Sequence, residues 1–243
     1  MYSNINKKFN SLYFLLLVNS IIFIFAFLVQ TKGFDSKFFY LFGGEITSKI
    51  FGGDIWLLLT SNFFHLDILH FILNMYALWK IGEAIMTYYD GKKLFFIYIF
   101  GGIAGSLLTF LISLPSFITN GESSNVFSLG ASGSIFAMVG LLLGGTLRKN
   151  RFGTGLPFKT SDILIFALPS FLLGLTPGLN INNWAHVGGL LSGILLGLLL
   201  RPVGNYESKT EEKIFTFIYY LSLIIFFLSY LFLAVNAYKL IFL

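Results

Sequence analysis

Apolar residues occupy seven helix-length blocks of this chain, separated by short polar breaks. The first runs from Leu12 to Val29, close to the ~20 residues that carry a helix across the hydrocarbon core of a bilayer. The next spans Phe63 to Ile85 and carries His65, His70 and Asn74. A third covers Lys93 to Leu114, with Gly101-x-x-x-Gly105 as a close-packing face and Pro115 predicted to end it. Then come Gly130 to Leu147, Ile163 to Leu175, Trp184 to Leu200 with His186, and Ile214 to Val235. The connection from Gln30 to Thr60, loop one, mixes Gly43, Gly44, Gly52 and Gly53 with Phe38, Phe39, Tyr40, Phe42 and Trp56. It is too apolar for a plain linker and is expected in the membrane interface, with its aromatics at headgroup level. The break from Ser116 to Leu129 is expected to be an irregular loop dipping into the bundle.

Composition turns these blocks into membrane spans. Of 243 residues, 56% are hydrophobic and 11% charged, against about 25% charged in soluble domains. Such a chain cannot cover a water-facing surface, so the fold class is an all-α polytopic membrane bundle. Lys7 and Lys8 precede the first block as in a signal peptide, but no small-x-small cleavage site follows, and the block is read as a retained span. The absence of cysteine excludes disulfides, thiol catalysis and thiolate metal sites.

The net charge of +5 fits cytoplasmic loops rather than nucleic acid. Lys7 and Lys8, then Lys80, Lys92 and Lys93, then Arg148, Lys149, Arg151 and Lys159, then Arg201, Lys209 and Lys213 all fall on one side. On the other side Lys32, Lys37 and Lys49 are balanced by Asp35, Glu45 and Asp54. This places the N-terminus in the cytoplasm and the C-terminus outside. It divides the chain into a tail at 1–11, a six-span core at 12–200, a cytoplasmic linker at 201–213 and an additional C-terminal helix at 214–243.

Chemistry enters with the polar residues at membrane depth, which are costly there and therefore candidates for function. Ser132 lies between Gly130 and Gly133 at the start of a span, where helix N–H groups and the positive end of the dipole suit a developing oxyanion. Small residues at a helix start equally suit packing and capping. His70 and Asn74 share one helix face and both can donate hydrogen bonds. Each histidine alone could bond a neighbouring helix. Gly189, Gly193 and Gly197 after His186 form a smooth stripe, and Gly133, Ala137, Gly140 and Gly144 form another. If the stripes meet, His186 reaches Ser132 and can act as the base that a serine hydroxyl needs.

Gly130-Ala131-Ser132-Gly133, Ala185-His186-Val187-Gly188-Gly189 continuing to Gly193, and His70-x-x-x-Asn74 together resemble the rhomboid family of intramembrane serine proteases, over roughly Asp54 to Leu200. The block after His186 resembles the variant with one extra C-terminal helix. The resemblance implies a Ser–His dyad of Ser132 and His186, with an oxyanion hole from His70, Asn74 and the Ser132 N–H. It implies supporting roles for His65, Gly130, Gly133, Gly189, Gly193 and Phe136, the last standing where many members carry a tyrosine stacked on the histidine. It also implies transmembrane protein substrates with helix-weakening Gly or Pro near the cut, a water-filled cavity open to the outside, and no metal or other cofactor. Leu57 after Trp56, Met86 four residues after Gly82, and Phe136 depart from the family's pattern and bear on anchoring and substrate preference.

Span five and the Thr176 to Asn183 loop are gate candidates for lateral entry. A catalytically inactive rhomboid-like scaffold is the alternative reading, although such proteins lack the serine or the histidine. A transporter would call for an internal repeat. A zinc protease would call for His-Glu-x-x-His, and His65 and His70 are five apart, a poor match for one helix face. For an aspartyl protease, Asp67, Asp90 and Asp162 lie at span margins or in a loop. A bacterial plasma membrane is the expected location.

Overall fold

The computed structural model describes residues 11–30, 36–152, 155–173, 181–202 and 209–243. Its elements are α1 (Ser11–Val29), α2 (Ser36–Leu41), β1 (Glu45–Ile46), α3 (Thr47–Phe51), α4 (Leu57–Thr60), a 3-10 turn (Ser61–Phe63), α5 (Ile68–Tyr88), α6 (Gly91–Asn120), a second 3-10 turn (Gly121–Ser124), β2 (Phe127–Ser128), α7 (Ser132–Phe152), α8 (Thr160–Leu173), α9 (Asn183–Leu199) and α10 (Lys209–Phe242). The fold is an all-α polytopic one. α1, α6 and α10 are long and apolar enough to cross a membrane alone. The segment Leu57–Phe63 joins α5 with a bend of 95° and passes the same test only as a pair. α8 and α9 are shorter apolar helices.

Several boundaries differ from those read in the sequence: α7 runs on to Phe152 rather than Leu147, α10 spans Lys209–Phe242 rather than Ile214 to Val235, and two further differences bear on the site. α6 does not stop at Pro115 but continues to Asn120, so the first five residues of the expected irregular loop are helical. Proline removes its own N–H and crowds the carbonyl four residues back, a disturbance that membrane helices tolerate. The stop is at Gly121, whose φ of +65° suits glycine and whose N–H still reaches the Phe117 carbonyl. α5 begins at Ile68, not Phe63, because Asp67 caps it, accepting from the His70 N–H at 2.7 Å. His65 therefore sits in the bend rather than on the helix.

α7 lies at the centre, packed on α9, α6 and α5, and its contact with α9 is the most extensive between any two helices. Glycine makes that approach possible. A Cβ at Gly189 would fall on the Gly133 carbonyl, at Gly193 on that of Ala137, and at Gly197 on that of Leu141. From the other side, Gly140 and Gly144 face the Leu190 and Ile194 carbonyls. α6 closes on the pair in the same way: a Cβ at Gly105 would stand 2.6 Å from the Ala185 oxygen, and one at Gly188 would stand 2.7 Å from that of Ala104. The backbones are in van der Waals contact, the arrangement that small residues permit between membrane helices. The outer helices are the reverse, with Leu17, Ile24 and Phe25 of α1 and Phe217, Phe227 and Leu231 of α10 exposed, as lipid-facing residues should be.

Loop one is folded. Phe39 and Phe42 pack on Phe64, and Trp56 stacks on Phe232 of α10 with ring centroids 5.6 Å apart. β1 pairs antiparallel with β2, Glu45 opposite Ser128 and Ile46 opposite Phe127. The strands tie loop one to the segment that leads into α7.

Overpacking a tight contact costs about 1–3 kcal/mol. Gly193→Val is therefore expected to lower the thermal unfolding temperature of the detergent-solubilised protein clearly. Gly52→Ala, whose Cβ would lie 3.4 Å from its nearest neighbours, should leave it unchanged or slightly raised.

Candidate active site

Ser132 is the first residue of α7, held there by the turn before it. Gly130 has φ +108°, which disfavours any side chain, and its N–H donates to the Ser61 carbonyl at 2.9 Å. His186 stands in the first turn of α9. Asn182 caps that helix, its side-chain oxygen accepting from the Trp184 and Ala185 N–H groups. The glycine contacts between α7 and α9 bring these two helix starts together, and His186 Nε2 lies 2.9 Å from Ser132 Oγ.

The imidazole is buried and stacked on Phe136, with centroids 4.2 Å apart and planes 8° from parallel. Its Nδ1 is buried with no hydrogen-bond partner among the described residues. With the proton on Nδ1, Nε2 can accept the Ser132 hydroxyl hydrogen, the polarity a general base requires.

His70 and Asn74 project from one face of α5 toward the same turn. A Cβ on Gly130 would meet His70 Nε2 and Cε1 at 2.7 Å and Asn74 Nδ2 at 4.0 Å. Asn74 Nδ2 also donates to the His70 carbonyl at 2.9 Å. The backbone entering α7 is thus flanked by an imidazole and a carboxamide. His65 accepts from the Ala131 N–H at 3.4 Å, and its ring lies edge-on to His70 at 5.2 Å between centroids. The spacing of five put these histidines on different faces of one helix, but the bend before Ile68 brings them together. Among the described residues no three His, Asp or Glu side chains converge on a point that could hold a metal ion.

Several residues around the pair carry no motif. Asn182 Nδ2 donates to Ser128 Oγ and to Thr109 Oγ1, both at 2.8 Å, so one side chain joins β2, α6 and the start of α9. Asn62 accepts from Ser134 Oγ at 3.4 Å, within the first turn of the Ser132 helix. The available signal for Asn182 was its position as an asparagine just before an apolar helix. Leu57 is fully buried in the loop-one core, and Met86 is half-buried on α5. Of the gate candidates, α8 is described, and residues 174–180 lie outside the described residues.

A family model for the rhomboid domain matches residues 52–203. The chain belongs to the rhomboid family. This rhomboid is 29% identical over 188 residues to the Bacillus subtilis protein named rhomboid protease GluP, covering 77% of this chain and 34% of that one. It is 32% identical over 168 residues to Arabidopsis thaliana RHOMBOID-like protein 4, covering 66% of this chain and 38% of that one. It is 30% identical over 163 residues to the mitochondrial RHOMBOID-like protein 6 of the same plant, covering 64% and 48%. The chain therefore spans a third to a half of the length of these relatives.

Replacing a helix N-cap by alanine costs about 1 kcal/mol. Asn182→Ala is expected to lower the unfolding temperature of this rhomboid by that equivalent or more, because it also frees Ser128 and Thr109. Asn182→Asp keeps the cap, and its carboxylate can accept from the Ser128 and Thr109 hydroxyls in place of donating to them, so it should recover much of the loss seen in Asn182→Ala.

Proposed function

We propose that this rhomboid is an intramembrane serine endopeptidase that cuts transmembrane segments of single-span membrane proteins. The observation that carries the reading is the 2.9 Å approach of His186 Nε2 to Ser132 Oγ beside His70 and Asn74. Ser132 Oγ attacks the scissile carbonyl carbon while its proton passes to His186 Nε2. The carbonyl oxygen becomes an oxyanion, which His70, the Asn74 amide and the Ser132 N–H stabilise as donors. His186 then returns the proton to the leaving amine as the carbon–nitrogen bond breaks, leaving an ester on Ser132. Water, deprotonated by the same imidazole, attacks that ester, and the serine is regenerated.

The physical setting adds three requirements. Water must reach a serine at the outer end of α7, which calls for a wet cavity between α5, α7 and α9. The substrate must present an extended segment, because a helix hides its carbonyls in hydrogen bonds, and Gly or Pro near the cut favours that. Entry is lateral, past α8. The basic residues of the connections after α5, α7 and α9 support a cytoplasmic location for that side, with Ser132 toward the opposite face.

The test is labelling of the detergent-solubilised chain by a fluorophosphonate, which bonds covalently to an activated serine. Labelling is expected in the wild type, absent in Ser132→Ala and strongly reduced in His186→Ala. Cleavage of a membrane substrate should slow by about 10²–10³ in His70→Ala or Asn74→Ala, the size of a lost oxyanion donor. Wild-type protein that neither labels nor cleaves, yet still captures single-span proteins, would mean a rhomboid-like scaffold instead.

A further inference from the structure

Glu45 stands out among the titratable groups that the proposed chemistry does not use. It lies in loop one, outside the spans, and is 1% exposed. Neither carboxyl oxygen makes a well-formed hydrogen bond among the described residues, although the Ser106 hydroxyl on α6 acts on the carboxyl. An isolated carboxylate in such a place is costly, whereas a neutral acid is tolerated far better. Charge that could neutralise it is engaged elsewhere. On α3, Lys49 Nζ sits 5.1 Å over the Tyr40 ring. On α2, the Tyr40 hydroxyl donates to Asp54 at 2.9 Å. Glu122, beside β2, accepts from the Asn125 side chain. The polar groups against β1 and its ends are uncharged: Ser128 on β2, Thr60 on α4, and Ser106 and Ser113 on α6.

Two short chains of contacts link Glu45 to the candidate active site, one through the backbone pairing of its strand and one through Ser106, whose hydroxyl acts on the carboxyl. Along the strands, Glu45 pairs with Ser128, Ser128 Oγ accepts from Asn182, and Asn182 caps the helix that carries His186. Through the helices, Ser106 lies 3.3 Å from Ser61 Oγ, and the Ser61 carbonyl holds the Gly130 N–H just before Ser132. β1 itself is pinned at both ends, by Thr60 Oγ1 donating to the Gly43 carbonyl at 2.8 Å and by Thr47 Oγ1 against Ser113 Oγ at 2.9 Å. A charge created at Glu45 has no room to turn toward water while these bonds hold.

We propose that Glu45 is kept as a neutral carboxylic acid and is a positioning residue, a proton-linked clasp that seats loop one against β2 and α6 and so holds Ser132 and His186 in register. Loss of the proton drives β1 from its slot and slackens both contact chains. Burial pushes the carboxyl from the ordinary range up to about 8, with the Ser106 hydroxyl pulling the other way. A group whose folded pKa lies above its unfolded value holds its proton more tightly when folded. Its stabilising contribution is complete below the ordinary carboxylate range and is lost as pH rises through about 8.

The test uses the full chain in detergent from about pH 5 to about pH 9.5. Infrared spectra of the wild type should show the C=O band of a neutral carboxylic acid that Glu45→Gln lacks, fading through about pH 8. Ser106→Ala should move that midpoint upward. The wild-type unfolding temperature should fall from the ordinary carboxylate range up to about pH 8 and level off above it, a decline that Glu45→Gln should lack. The activity readout rests on the proposed protease function: wild-type kcat should drop toward about tenfold per pH unit above the midpoint, and Glu45→Gln should hold its rate there. Identical acid-pH spectra for wild type and Glu45→Gln, or identical alkaline profiles, would overturn the clasp. A serine that is inert in every variant sinks the protease reading alone, and the band and the unfolding curves still decide the role of Glu45.

Discussion

Backbone contact between α7 and α9 is the constraint on which the arrangement depends. Every other feature of the candidate site presupposes that two helix starts lie within one hydrogen bond of each other. Lipid gives apolar helices no hydrophobic reason to associate, so the gain has to come from close packing. Gly140, Gly144, Gly189, Gly193 and Gly197 supply it by letting carbonyls of one helix rest on α-carbons of the other. Close packing also fixes register, because a shift of one residue would set side chains against backbone. Ser132 and His186 then inherit their 2.9 Å separation from contacts one to three turns away.

The helices were legible in the chain because their signals are local. Apolar runs announced the helices, although among the described residues only α1, α6 and α10 are long and apolar enough to cross a membrane alone, and the glycine stripes of α7 and α9 announced which faces meet. What escaped was set by capping and by tertiary contact. Asp67 moves the start of α5 to Ile68, and that displacement turns His65 toward His70. Pro115 reads as a terminator, yet the lost N–H is a single bond in a helix that continues until Gly121. Loop one reads as interfacial aromatics, while its short strand pairs with residues some eighty positions away, a partnership that no periodicity over two residues can announce.

The helix ends around the Ser132 turn hold a belt of small polar side chains, and this belt explains how irregular backbone survives there. A chain segment without regular hydrogen bonds is tolerated at membrane depth only when protein or water satisfies it. Ser61 takes the Gly130 N–H, Thr47 bonds both ways with Val126, and Asn125 takes the Ser48 N–H. Asn182 fastens three elements with one side chain. The belt therefore works as a rigid collar above an apolar core, and the turn that presents Ser132 is braced from both sides.

The collar also bears on how the imidazole is oriented. A general-base histidine is often steered by a carboxylate on its second nitrogen, but His186 Nδ1 has no partner among the described residues. A buried N–H without a partner costs about 1–3 kcal/mol, so something else must hold the ring. Phe136 does so by stacking at 4.2 Å and 8°, which leaves the ring one plane in which to lie. Under the proposed mechanism the ring gains a proton in the transition state, and the π-face of Phe136 meets that positive charge favourably. The hydroxyl of a tyrosine at this position would add little to either task, since both are performed by the face of the ring. Phe136 is thus a departure from the family's pattern that keeps the physics for which an aromatic side chain is needed there.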